Sequence, residues 1–253
     1  MENTIAVQPR RAPSVTKNII GIIRQPRVAF TQLKGSSDWP LMIGLISLLS
    51  MATAAIFLHQ FDWQNYTLQA LAKDPSIGHV TPEQLAPIID RTRHTISSFT
   101  YISSVISPVL SLLALAGIYL GTFRYTMKAD INYLTSLEIV IYAWVPAMIK
   151  SFVAIIMLIF IHPAILGAER IVPSNLEYFF HHDPSSAQFA MLSSVDVFSL
   201  WTLLLMVIGF SVAIPKAAQW KVAVRVAALW ILLILMRGLA SIAVELMRAT
   251  QQT

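Results

Sequence analysis

The sequence contains no cysteine, which excludes disulfide bonds, thiolate metal sites and a cysteine nucleophile. Charged residues are also scarce. They make up 12% of the chain, whereas a soluble domain usually carries about 25%. The GxSxG, Walker A, GxGxxG and HExxH motifs, which mark common hydrolase, nucleotide-binding and metalloprotease sites, do not occur. The sequence therefore gives no support for catalysis, and we expect a protein that is not an enzyme and has no cofactor.

Long apolar stretches dominate the chain instead. A membrane-spanning helix needs about 20 mostly apolar residues, and lipid satisfies no backbone hydrogen bonds, so such stretches must be helical. Five stretches meet this length: Trp39–His59, Ile96–Gly121, Ser136–Ile161, Val195–Ile214 and Val226–Leu246. We predict an all-α polytopic bundle of five transmembrane helices, with residues 1–38 as a cytosolic segment and 39–253 as one membrane domain.

The distribution of positive charge predicts the orientation. The net charge of +5 would suggest nucleic acid as the partner of a soluble protein, but here we assign it to segments that face the cytosol and anionic lipid. Eleven Lys and Arg residues lie in the N-terminal segment and after spans two and four, against five in the other three segments. The positive-inside rule then puts the N-terminus in the cytosol and the C-terminus outside. No signal-peptide core precedes Trp39, so the first span is expected to act as an uncleaved signal.

Residues 14–34 show helical spacing of apolar side chains, interleaved with Lys17, Arg24 and Arg27. We predict two short amphipathic helices on the cytosolic membrane surface, separated at Pro26 because an internal proline removes a helix hydrogen bond. Ser14 is the expected N-cap and Gly35 the expected end. The segment either anchors the chain in the lipid interface or forms a docking surface for a partner.

Two cations lie within predicted spans. Lys150 follows Pro146, which is expected to kink the third span, and Arg237 lies in the fifth. Charge at the centre of a membrane helix costs about 2.5–3.5 kcal/mol, so such residues are functional candidates. Each would bind an anionic group or pair with a carboxylate on another helix; the candidate carboxylates are Glu138, Asp196 and Glu245.

Small and hydroxylated residues line one face of the second span: Thr100, Ser104, Ser107, Ser111 and Ala114. Such a face favours close helix packing, and a translocation path is the alternative. All six histidines lie in or beside the predicted outer segments. His162, His181 and His182 would form a metal site only if the fold brought them together, and their spacing fits no standard ligand pattern.

Several stretches together resemble the Yip family of Ypt/Rab-interacting membrane proteins, and its bacterial branch in particular. The Ile22–Leu33 segment is similar to the family's entry segment, with Pro, Ala-Phe and Leu at matching positions. Asp38–Leu41 leads into the first span, and Ile141–Pro146 matches the proline-broken third span. The Asp196–Trp201 segment, with Asp196, Phe198 and Trp201, opens span four, and Gly209 and Lys216 follow it.

The resemblance covers residues 15–245 and implies five spans with a cytosolic N-terminus. It also implies association with small GTPases in eukaryotic members and with ABC-type exporters in bacterial ones, and it supplies no catalytic residues. The resulting hypothesis is an accessory or regulatory protein of a membrane assembly, or an organiser of the bilayer, in a bacterial inner membrane. We expect it to contact lipid, another membrane protein and further copies of itself. Its candidate functional residues are Lys150, Arg237, Pro146, Asp196 and Trp201. The alternatives are an anion or small-solute transporter that uses Lys150 and Arg237, and a metal enzyme on the outer face.

Overall fold

The computed structural model describes residues 15–33, 38–72, 81–161, 171–180, 182–183 and 186–250. The helices in these residues are α1 (Val15–Arg24), α2 (Pro26–Gln32), α3 (Trp39–His59), α4 (Trp63–Ala72), α5 (Pro82–Met127), α6 (Tyr133–Ala143), α7 (Val145–Phe160), α8 (Glu177–Phe180), α9 (Ala187–Leu192), α10 (Val197–Ala213) and α11 (Gln219–Thr250). An isolated antiparallel bridge joins Asn175 to Asp196.

The predicted all-α membrane bundle is confirmed. Four segments are long and apolar enough to cross a membrane: α3, α5, the α6–α7 pair and α11. The predicted fourth span is α10, which is apolar but only 17 residues long. The bundle is built by packing of α3 on α5, α6 and α7, and of α10 on α6, α7 and α11.

The helix that contains the second span is longer than the predicted span. The predicted span begins at Ile96, but α5 is one helix of 46 residues that begins at Pro82. Thr81 begins it with a capping box, since its backbone N–H donates to Gln84 Oε1 at 3.1 Å. The charged run from Asp90 to His94 ends the apolar stretch and not the helix, because charge determines the edge of the membrane while backbone propensity determines the edge of a helix.

The third span breaks where proline predicts. Helix α6 ends at Ala143, Trp144 lies between the helices with φ −80° and ψ −2°, and α7 begins at Val145 with Pro146 in its first turn. Proline is accommodated there because the first turn of a helix lacks intrahelical acceptors for its N–H groups. Helix α6 is the centre of the bundle, since every residue from Ser136 to Ala143 is buried.

The N-terminal amphipathic helices are split at Pro26 as predicted, with α1 ending at Arg24. Their apolar side chains pack on the bundle rather than on lipid alone: Ile22 and Leu33 are buried in the same core as α6 and α10. Asn18 Nδ2 donates to the hydroxyl of Tyr142 at 3.2 Å. The two helices therefore close one end of the bundle, the end at which α6 and α11 begin.

Some predictions fall on residues that the structure does not describe. The N-cap at Ser14, the helix end at Gly35 and the histidines His162 and His181 all lie outside the described ranges.

Candidate site at the start of helix α10

The intramembrane lysine forms an ion pair. Lys150 Nζ contacts Asp196 Oδ2, and the side chains are 34% and 5% exposed. Of the three candidate carboxylates, the structure thus places Asp196 on Lys150. Glu138 lies at the other end of the bundle, beside Phe30 and Leu33, and Glu245 is exposed near the end of α11.

Asp196 has a second role, which is local. It is the N-cap of α10: its Oδ1 accepts from the Ser199 N–H at 2.6 Å, and its own N–H donates to Ser199 Oγ at 2.9 Å. A carboxylate is favoured there because the first turn of a helix presents unpaired N–H groups and the positive end of the helix dipole. Oδ1 of Asp196 therefore caps the first turn of α10, and Oδ2 binds Lys150 of α7. Together the two contacts fix the register between these two helices.

The pair lies well below the end of α7. Ten residues separate Lys150 from Phe160, and a helix rises about 1.5 Å per residue, so Lys150 is about 15 Å from that end. Helix α10 begins at this depth. The chain before it enters the bundle as irregular backbone, and Leu176 N–H donates to Val195 O at 3.0 Å across the bridge. Irregular backbone at membrane depth is tolerated only where protein or a cavity surrounds it.

A cavity of about 250 Å³ adjoins the ion pair. Its polar wall is Lys150, Asp196, Ser199 and Thr202, and its remaining walls come from apolar and aromatic side chains of α5, α6–α7, α10 and α11. Those side chains include Leu115, Tyr119, Trp144, Phe198, Met206, Trp230 and Leu233. The arrangement offers a neutralised charge pair and an apolar volume, so it suits an apolar group with one polar end better than a free anion.

The other candidate residues, Arg237, Pro146 and Trp201, are not part of this ion pair. Arg237 does not reach Asp196; its Nη1 donates to Ser194 Oγ at 3.0 Å, two residues before Asp196 in the chain. Pro146 is buried in the first turn of α7, one turn before Lys150. Trp201 is half-buried against the core and does not line the cavity.

The serine face of α5 lines a separate cavity of about 220 Å³. Ser107 and Ser111 face Ser50 of α3 and Ser151 of α7 across it. Its wall includes Trp144, which also borders the ion-pair cavity. The face therefore packs loosely, since it combines helix contact with a polar void.

Sequence reasoning missed a buried carboxylate in the segment before α10. The Glu177 side chain is 1% exposed; its Oε2 lies 2.9 Å from His182 Nδ1, and its Oε1 accepts from the His182 N–H at 2.5 Å. The only sequence signal was an acidic residue within a run of turn formers. Within the described ranges, no group of three His, Asp or Glu residues is placed to hold a metal.

Comparison with known families gives a match over most of the chain. The model of the Yip1 domain matches residues 20–240. The chain belongs to the Yip1 family. No curated protein and no solved structure matches it.

The segments that carry the family resemblance meet in this Yip1 protein as packing contacts. Phe30 of the entry segment lies against Gly209 of α10, where an added Cβ would come within 3.2 Å of the Phe30 ring and 2.6 Å of Ile139 Cγ2. Glycine is therefore required for the close approach of α2, α6 and α10. Asp196 holds Lys150 at the other end of the same helix. The matching residues thus position helices, and they bracket α10 at both ends.

Proposed function

We propose that this Yip1-family protein is a non-enzymatic accessory component that binds and regulates another assembly in a bacterial inner membrane. The observation that carries the proposal is the state of the intramembrane charges. Lys150 is paired with Asp196, and Arg237 is bonded to Ser194. In a transport or catalytic centre, charged side chains contact the ligand. Here Lys150 and Arg237 contact other residues of the protein instead, and these contacts join separate segments of the bundle.

The docking surface is the outward face of α1 and α2. Their apolar side is buried in the bundle, while Arg24 and Arg27 are exposed together with Ile20, Ile23 and Val28, each of which is between 43% and 49% exposed. A surface of mixed cations and aliphatic side chains suits both headgroups and an amphipathic partner segment. An ABC-type exporter is the partner class that the family resemblance suggests.

The experiment is a crosslinking pull-down in mild detergent with partner identification. Deletion of the N-terminal helices would remove core residues such as Phe30, so substitutions are more informative. We expect Arg24→Glu/Arg27→Glu to lose the partner that the unchanged protein retains. Arg91→Glu/Arg93→Glu is the matched control, because it makes the same charge change on exposed positions of α5. Equal recovery of every partner by both variants would reject this docking surface.

The proposal also includes the orientation. Cations gather at the end of the bundle closed by α1 and α2: Arg24, Arg27, Arg124, Lys128, Lys216, Lys221 and Arg225. This supports a cytosolic position for that end. Reporter enzymes fused to each terminus in turn should report the N-terminus inside and the C-terminus outside.

The second candidate function is a transporter, and one observation favours it: Trp144 and Ala147 border both the ion-pair cavity and the serine-lined cavity. Movement of this wall would join the two volumes. In that case solute flux in proteoliposomes would fall with Lys150→Met and with Arg237→Met. Flux that survives both substitutions would remove these cations from the path.

A further inference from the structure

A cavity of about 530 Å³ lies at the end of the bundle closed by α1 and α2. It is bounded by the α5–α6 connection, which includes Lys128 and Asp130, and by the α10–α11 connection, which includes Lys216. Lys221 and Arg225 of α11 complete its charged wall. Its volume falls within the range of about 300–1,000 Å³ that is typical of small-ligand sites.

The charges around this cavity are unbalanced. Four cations face one carboxylate, and within the described residues no carboxylate lies within 4 Å of any of the four. Arg225 is held in place by neutral acceptors: its Nε donates to Thr126 Oγ1 at 2.7 Å and its Nη1 to the Lys221 carbonyl at 2.8 Å. The fold therefore orders a guanidinium at the cavity without neutralising it. Like charges gathered in this way attract an anion.

Neighbouring aromatic residues indicate the depth of the cavity in the membrane. Trp220 is 65% exposed and Tyr125 is 90% exposed. Trp and Tyr are enriched at the level of lipid headgroups. Lys221 Nζ also lies 5.6 Å from the centre of the Trp220 ring, so one of the four cations is at that same level. The occupant that fits this position is part of the membrane rather than a free solute.

We propose that this cavity binds the phosphate-bearing headgroup of an anionic phospholipid, held by Lys128, Lys216, Lys221 and Arg225. Basic pockets between the ends of membrane helices recognise anionic headgroups by this chemistry, and a phosphodiester accepts from both ammonium and guanidinium donors. The lipid would contact both the α5–α6 connection and the α10–α11 connection. It would therefore link the end of α5 to the start of α11, the two long helices of the bundle.

The test uses native mass spectrometry of the purified protein in mixed micelles that contain phosphatidylcholine. Phosphatidylglycerol is titrated into the micelles, and its retention is the apparent affinity obtained from the number of bound phosphatidylglycerol molecules. We expect Lys216→Gln/Lys221→Gln to weaken retention about 25-fold, at about five-fold for each surface cation. Asp130→Asn should strengthen it about five-fold by removing the opposing carboxylate. Arg91→Gln/Arg93→Gln, with the same change in charge on α5 far from the cavity, should leave retention unchanged.

Three results would overturn the proposal. Retention could be equal in the Lys216→Gln/Lys221→Gln variant and the unchanged protein. Phosphatidylcholine could be retained as well as phosphatidylglycerol, which would show that charge is not recognised. Inorganic phosphate at millimolar concentration could displace the lipid from the unchanged protein, which would assign the cavity to a free anion. Melting temperature in phosphatidylcholine should be the same for all variants, since Lys216 and Lys221 are exposed.

Discussion

Breaking the ion pair between α7 and α10 should destabilise the protein from either side, by different routes. Lys150→Met leaves the Asp196 carboxylate, which is 5% exposed, without its cation, and this costs about 3 kcal/mol. Asp196→Asn keeps a good N-cap for α10 but leaves an ammonium at membrane depth. That costs about 2.5–3.5 kcal/mol, and the lower end is expected because the Lys150 side chain is 34% exposed.

The double variant Lys150→Met/Asp196→Asn distinguishes a true pair from two independent losses. With both charges gone, the free energy of unfolding should fall by only about 1 kcal/mol, because a buried pair replaced by neutral groups is close to neutral in energy. The double variant should therefore be more stable than the sum of the single changes predicts, by about 4 kcal/mol.

Unfolding by sodium dodecyl sulfate in mixed micelles, followed by tryptophan fluorescence, measures these free energies. Arg91→Met is the control, since it removes an exposed cation and should change stability by less than about 0.5 kcal/mol. Additive losses in the double variant would refute the reasoning, because they would mean that Lys150 and Asp196 do not stabilise each other.

Three further substitutions test the packing of helices on α10 and α11 by the same unfolding assay, and a fourth, Gly121→Ala on α5, is the control. Gly209→Ala should cost about 1–3 kcal/mol, because its Cβ would overlap Ile139, whereas Gly121→Ala meets nothing within 4 Å and should be neutral or stabilising by up to about 1 kcal/mol. Phe30→Ala should cost about 3–5 kcal/mol and should also speed tryptic cleavage after the arginines of α1 and α2. Gly238→Ala should cost less than Gly209→Ala, since the atoms in its way belong to a flexible methionine side chain.

Hydropathy and proline positions were sufficient to predict much of the fold. The spans follow from apolar runs that only helices can carry across lipid, and the breaks at Pro26 and Pro146 follow from the missing amide hydrogen. The length of α5 could not be predicted in this way, because the charged run from Asp90 to His94 interrupts the apolar stretch without interrupting the helix.

The contacts between helices could not be predicted from the sequence. Nothing in the chain distinguished Asp196 from Glu138 or Glu245 as the partner of Lys150, because pairing between spans depends on their register and rotation. The apolar face of α1 also did not show whether this helix packs on lipid or on protein, since both present an apolar surface to it. Glu177 was missed for a related reason: its burial depends on a chain segment that enters the bundle.

The shortness of α10 has a consequence for the bilayer itself. Its 17 residues cover about 25 Å, less than the hydrocarbon thickness of about 30 Å, and its outward side chains Val197, Leu200 and Leu204 are exposed. The remaining several ångströms are covered by the irregular segment and by α9, which precede α10 in the chain and pack against the bundle. The height that this side of the protein presents to lipid therefore depends on how that segment is held, and the bridge between Asn175 and Asp196 is one of the contacts that hold it.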